Sequence, residues 1–411
     1  MSVAGEAGGN RFGQLPDYPF VRLRALLGRE APGLEPISLS IGEPQHPFPE
    51  FVAEVLAREA AGYGRYPPME GTDAFRDAVA GWLTRRYRLP AGAVDPKTNV
   101  IALNGTREGL FGACLAVTPE RKNGTRPAVL MPNPFYQCYA GAALAAGAEP
   151  IYVPALRENR FLPDYAALPP DLLARTAAVY LCSPTNPQGT CATLEDWKAL
   201  ITLARTHGFA LLADECYAEI YDGAPPAGAL EAAHALGGFD NVLAFHSLSK
   251  RSSLPGLRSG FVAGDAKLVA AFLALRQYGG AASPLPVLAA AAAAWSEDGH
   301  VEVNRARYRR KFDIAENILS NRFSFYRPGG GFYLWLDVGD GEAAALKLWR
   351  EAGVRVLPGR YLAVGGVGAD GCLSESANNQ GPSPGDAFIR AALVADEDTT
   401  ATALRRIAEC L

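Results

Sequence analysis

Through the middle of the chain, short apolar runs alternate with longer stretches of helical periodicity. The runs lie at 99–103 (NVIAL), 127–131 (PAVLM), 177–182 (AAVYLC), 209–214 (FALLAD) and 241–247 (NVLAFHS). None alternates strictly with polar residues, as expected of strands covered by helices on both faces, so the pattern predicts an open, mostly parallel α/β sheet. Between two of the runs, TLEDWKALITLARTHG reads as a helix with Thr193 as N-cap. Glu195 and Asp196 suit the positive end of its dipole, and Gly208 stops it after the basic Arg205 and His207. His207 is then a helix-end residue and not a catalyst.

After about Ala290 the pattern changes. A long helical stretch, HVEVNRARYRRKFDIAENIL, leads into FSFYRPGGGFYLWLDV, a glycine turn entering a short alternating strand. The helix GEAAALKLWREAG, the strand VRVLP and the pair AFIRAALVA and TATALRRIAECL follow. Such mixing predicts a smaller α+β domain packed on the sheet domain. The expected division is an N-terminal arm and small-domain segment over 1–45, a large domain over 46–290 and a small C-terminal domain over 291–411. Segment 365–386, rich in glycine, serine and proline, reads as a loop.

The length of 411 residues agrees with two domains, since single cores stop growing at roughly 250–300 residues. A net charge of -4 leaves no basic footprint for nucleic acid or an anionic membrane. No stretch approaches the roughly 18 apolar residues of a membrane span, and the alanine-rich LPVLAAAAAAW reads as a buried helix. The first residues lack the apolar centre of a secretory signal, so a cytoplasmic location is expected. Seven cysteines with no CxxC pair read as small core residues in a reducing compartment.

Three chemical signals fall at the C-terminal ends of predicted strands, where open α/β sheets place ligands. CSPTNPQGT puts Asn186 in a proline-flanked turn, LLADECYAEIY puts Asp214 at a strand end with Tyr217 beyond it, and HSLSK puts Lys250 just after a third strand. Singly, these are a turn former, a cap and a solvated amine. A further segment, LNGTREGLFG, has its glycines spaced GxxxGxxG, which is not a dinucleotide fingerprint. Gly105, Thr106 and Arg107 there offer either a phosphate seat at a helix start or ordinary cap chemistry. Taken jointly, the set fits pyridoxal phosphate: one lysine amine for its aldehyde, a carboxylate for its ring nitrogen, and hydroxyl, main-chain and arginine donors for its phosphate. Lys250, Asp214, and the group of Ser247, Ser249 and Arg258 supply them.

With SIGEP, YGRYPPMEGTDAFR, NGTREGL, PNPFYQCY, SPTNPQGT, ADECYAEI, SLSKRSSLPGLRSG and FIRAAL in order, the chain resembles the fold-type I pyridoxal-phosphate aminotransferases of class I/II. The resemblance implies a large domain with a mostly parallel α/β sheet and a smaller α+β domain. Lys250 would bond the cofactor and shuttle the proton, Asp214 would pair with the ring nitrogen, and Tyr217 and Asn186 would bond the ring oxygen. Tyr136, next to Phe135, would stack on the ring; Thr106, Arg107, Ser247, Ser249 and Arg258 would hold the phosphate. Arg390, helped by Asn186 and the main chain of Gly42, would take the substrate's α-carboxylate. Tyr66 would reach the partner's phosphate across a homodimer.

A finer resemblance, carried by SIGEPQHPFPEFV, SLSKRSSLPGLRSGFVAGD, GGGFYLWL and VRVLPGRYLA, is to the proteobacterial N-succinyldiaminopimelate aminotransferases of lysine biosynthesis. It implies amino-group transfer between N-succinyl-LL-2,6-diaminopimelate and 2-oxoglutarate. QYGGAASP around Tyr278 departs from that family's usual pattern. Arg327 and Arg360 are candidates for the substrate's distal carboxylate. Aspartate, aromatic, alanine or acetylornithine transamination, or a carbon-sulfur lyase reaction, are the alternatives.

Overall fold

All five apolar runs fold as strands of one sheet in the computed structural model, which describes residues 13, 15, 17–366 and 381–411. In chain order the strands are β1 (Ile37–Ser38), β2 (Val100–Leu103), β3 (Ala128–Asn133), β4 (Glu149–Pro154), β5 (Thr176–Cys182) and β6 (Ala210–Asp214). They continue with β7 (Val242–Ser247), β8 (Gly260–Gly264), β9 (Tyr333–Asp337), β10 (Val354–Arg355), β11 (Leu357–Pro358) and β12 (Phe388–Ala392). The large sheet has seven strands in the order β2-β8-β7-β6-β5-β3-β4. Only β8 runs against its neighbours; the other pairings are parallel.

The continuous apolar character of these strands has a direct cause. Successive side chains point to opposite faces, and both faces are buried. Leu130, Val179, Leu211 and Ala244 enter one core, with Trp82, Trp197 and Trp295. Their chain neighbours Val129, Tyr180, Leu212 and Leu243 enter the other, with Leu110, Tyr139 and Phe272. Two strands of the sheet lie outside the five runs. The edge strand β4 (EPIYVP) carries two prolines and half-buried ends, while β8 (GFVAG) is short and glycine-bounded.

Helix Leu194–His207 begins as its sequence dictates. The Thr193 hydroxyl accepts from the Asp196 N–H, and the Asp196 carboxylate accepts from the Thr193 N–H. It ends at Gly208 with φ of 63°, a left-handed conformation that glycine adopts without strain. The alanine-rich helix Leu285–Ser296 packs on helices Glu50–Arg58 and Asp73–Tyr87, with the Trp295 and Trp82 rings 4.8 Å apart. Among the described residues, no helix is long and apolar enough to cross a membrane.

The smaller domain is built on the antiparallel sheet β11-β12-β9 and the parallel pair β1-β10. The VRVLP run therefore splits: Val354 and Arg355 pair with β1, and Leu357 and Pro358 pair with β12. Helices Gly299–Leu319, Gly341–Ala352 and Glu397–Cys410 cover these strands around Leu39, Phe312, Leu336, Leu348, Ile389 and Leu404. Of the expected loop over 365–386, residues 367–380 lie outside the described residues.

Candidate active site

Parallel strands β5, β6 and β7 are neighbours, with Cys182 opposite Asp214 and Asp214 opposite Phe245, so their C-terminal ends share one edge. Asn186 follows β5, Asp214 ends β6, and Lys250 lies in the single-turn helix Leu248–Arg251 after β7. They open into a cleft of about 210 Å3, also lined by Gly42, Thr106, Arg107, Tyr136, Tyr217 and Arg390. A second cavity of about 330 Å3 shares Thr106, Arg107, Tyr136 and Lys250, and adds Ser247, Ser249 and Arg258. Of the two adjacent aromatics, Tyr136 lines both cavities; Phe135 is buried in the core against Tyr152. Tyr66 lines neither cavity, and its side chain is fully exposed.

The Lys250 amine donates to the Gly42 carbonyl at 2.6 Å. Burial favours its neutral form and brings its pKa down to about 8. Asp214 is buried and makes no ion pair among the described residues. Burial pushes its pKa up; hydrogen bonds from Cys216 and from the Tyr139 hydroxyl, at 2.7 Å, oppose that shift. A buried carboxylate of this kind suits a cationic partner that a ligand could bring.

Arg390 is likewise buried with no acidic partner among the described residues. Its Nη1 donates to Asn186 Oδ1 at 3.0 Å and its Nη2 to the Ser40 carbonyl at 2.9 Å, while Nε has no partner. The guanidinium lies 4.3 Å from the Tyr333 ring centroid. This arrangement leaves an unsatisfied donor on a fixed cation, which suits a carboxylate.

At the other end, helix Thr106–Val117 starts after Gly105, whose φ is 85°. A Cβ at Gly105 would come within 2.2 Å of Arg258 Nη2, so the glycine leaves this guanidinium its place at the helix start. The first-turn N–H groups, the hydroxyls of Ser247 and Ser249 and the Arg258 guanidinium together make an anion seat. Amine, buried carboxylate and anion seat are the donor set that pyridoxal phosphate requires, and the residues fit it.

Residues 35–376 match the sequence model of the aminotransferases of class I and II. The chain belongs to that family. It is 33% identical over 359 residues to the LL-diaminopimelate aminotransferase of Desulforudis audaxviator, covering 85% of this chain and 88% of that protein. A crystal structure of an aminotransferase from Neisseria meningitidis superposes with a TM-score of 0.89 at 40% identity, over 97% of this chain and 98% of that one. A probable N-succinyldiaminopimelate aminotransferase from Thermus thermophilus gives 0.81 at 27% identity, over 95% and 100%. The protein is thus an aminotransferase of fold type I, in a family that uses pyridoxal phosphate.

Tyr139 and Tyr333 are among the side chains of this aminotransferase's cleft that the sequence does not single out. Tyr139 sits in the alanine-rich helix Gln137–Ala145, where its hydroxyl is the one polar side-chain group on the buried face. Tyr333, in GGGFYLWL, places its hydroxyl 3.1 Å from that of Tyr217. Its packing also explains Gly42, where a Cβ would overlap the Tyr333 hydroxyl. Conversely, Arg327 is removed as a distal-carboxylate ligand. It pairs with Asp222 at 2.6 Å, Asp313 at 2.8 Å and Glu316 at 2.9 Å, and lines neither cavity. Arg360 lies outside both cavities too, 3.5 Å from Asp386.

Proposed function

We propose that this aminotransferase binds pyridoxal phosphate and transfers an amino group between N-succinyl-LL-2,6-diaminopimelate and 2-oxoglutarate. The products are N-succinyl-2-amino-6-oxopimelate and glutamate, and the setting is lysine and diaminopimelate biosynthesis. The observation that carries the transamination reading is the convergence of the Lys250 amine, the unpaired Asp214 carboxylate and the half-satisfied Arg390 in one cleft. The substrate assignment is supported by the likeness to the Thermus enzyme and by the motifs shared with that subfamily. A second reading, transamination of LL-diaminopimelate itself, is favoured by the name of the Desulforudis relative.

Lys250 would hold the cofactor covalently through Nζ, Asp214 would hold its ring nitrogen, Tyr217 and Asn186 its ring oxygen, and Tyr136 its ring face. Thr106, Arg107, Ser247, Ser249 and Arg258 would hold its phosphate, joined by Tyr66 of a second copy in a homodimer. Bound there, the cofactor supplies an exchangeable carbonyl and an electron-withdrawing ring. Arg390 fixes the substrate carboxylate, which orients the Cα–H bond toward Lys250. Once the substrate's own amine has replaced it at the cofactor's carbonyl, the freed Lys250 amine would take the proton from Cα, a role suited to an amine whose pKa burial has brought down to about 8.

The test is a panel of N-succinyldiaminopimelate, LL-diaminopimelate, N-acetylornithine and aspartate, each with 2-oxoglutarate and each without any oxo acid. The first donor should turn over fastest and only with the oxo acid; its failure rejects the assignment, and turnover without oxo acid means lyase chemistry. Lys250→Ala should abolish both visible absorbance and turnover.

A further inference from the structure

Lys311 is completely buried, on helix Gly299–Leu319, with no carboxylate within 4 Å among the described residues. An ammonium in such a place is costly, and an apolar side chain of similar length would fill the space without that cost. Its bonds show what it does instead. Its Nζ lies 2.7 Å from His46 Nε2 and donates to the Leu393 carbonyl at 3.0 Å. His46 Nδ1 lies 2.9 Å from Asn304 Oδ1, and Asn304 Nδ2 donates to the carbonyls of Lys250 and Arg251, both at 3.1 Å.

The direction of every bond is determined. Carbonyls only accept, so Asn304 turns its Nδ2 to the main chain and its Oδ1 to His46; Nδ1 of His46 therefore carries the hydrogen and Nε2 accepts from Lys311. Burial, reinforced by the Lys311 charge, keeps the imidazole neutral, with a pKa of about 4. Asn304 Oδ1 also accepts from the Ser253 hydroxyl at 3.3 Å. Both hydrogens of the Asn304 amide therefore remain for the main chain at Lys250.

The three segments joined this way are three of those that frame the cleft. His46 is four residues beyond Gly42, Leu393 three beyond Arg390, and Asn304 bonds Lys250 itself. Asn304 and Lys311 are seven residues apart, two turns along one helix face. We propose that Lys311, His46 and Asn304 are positioning residues for the reactive amine: their one-way chain of donors fixes the main chain of Lys250 relative to the segments that carry Gly42 and Arg390. The inference rests on the reading of Lys250 as the reacting lysine.

Asn304→Asp keeps the acceptor for His46 and removes both donors to the main chain; His46→Asn keeps a donor at the Nδ1 position, and His46→Ala removes it. In cofactor-free protein, reductive methylation of Lys250 with formaldehyde and cyanoborohydride is followed by peptide mass spectrometry, with exposed Lys267 as internal reference. Asn304→Asp should change the relative rate at Lys250 by at least about threefold and lower kcat roughly tenfold or more, with KM for 2-oxoglutarate nearly unchanged. His46→Asn should recover most of the kcat lost in His46→Ala. Wild-type methylation and kcat in Asn304→Asp and in Lys311→Met, with only a lowered melting temperature, would overturn the proposal. Should Lys311→Met fail to fold, Asn304→Asp carries the test. Turnover by Lys250→Ala would instead reject the underlying reading of the lysine.

Discussion

Asp214 shows how a single side chain depends on residues the sequence does not place beside it. Its carboxylate is held by the Tyr139 hydroxyl and the Cys216 N–H in a buried site. Removing a hydrogen bond to a buried charged group costs roughly 1.5–3 kcal/mol. Tyr139→Phe should therefore destabilise the cofactor-free chain by about that amount in urea denaturation, an unchanged midpoint contradicting the assignment. The substitution also removes a donor that lowers the Asp214 pKa. Lys250, Asp214 and Asn186 were legible because each stands at or just beyond a strand end with a chemistry its surroundings do not need. Tyr139 was not: in sequence it is one aromatic in an apolar helix, and its partner is 75 residues away. Arg327 failed in the opposite sense, because sequence shows its charge and hides the three carboxylates that neutralise it.

Among the elements, helix starts and strand ends do the placing. The Thr193 cap and the Gly208 stop were readable because capping is local chemistry over three or four residues. The apolar runs were readable for a similar reason: burial on both faces removes the polar positions. Strand β4 escaped notice because an edge strand is less buried, and the split of VRVLP escaped because pairing partners are set by tertiary contacts. Gly105 ties an element boundary to the anion seat. Gly105→Ala would meet both a left-handed φ and the Arg258 guanidinium. Pyridoxal phosphate affinity, measured by fluorescence titration, should fall at least about tenfold, equivalent to ~1.4 kcal/mol. Gly208→Ala is the control: its φ of 63° carries strain of about 1–2 kcal/mol, but nothing lies within 4 Å of the added methyl, so affinity should hold.

For the whole molecule, the exposed aromatics matter most. Tyr66 is fully exposed on its own chain, and Tyr63 and Tyr278 are also largely exposed. If a second copy's phosphate is what Tyr66 meets, Tyr66→Phe should weaken cofactor binding about tenfold, the worth of one hydrogen bond to a charged group at its lower end. Because Tyr66 lines neither cavity of its own chain, such a loss reports a shared site; unchanged affinity rejects it.

The reversed strand β8 has a consequence for how the protein keeps its cofactor through a catalytic cycle. Gly260 is paired with Ser247 at the end of β7 and with Leu103 at the end of β2, so the chain leaves and re-enters the sheet at the same edge. Lys250 and Arg258 both lie on that detour, which is clamped at its base by β7 and β8. On the proposed assignment, the two ends of the cofactor would thereby be gripped by one short loop of the larger domain.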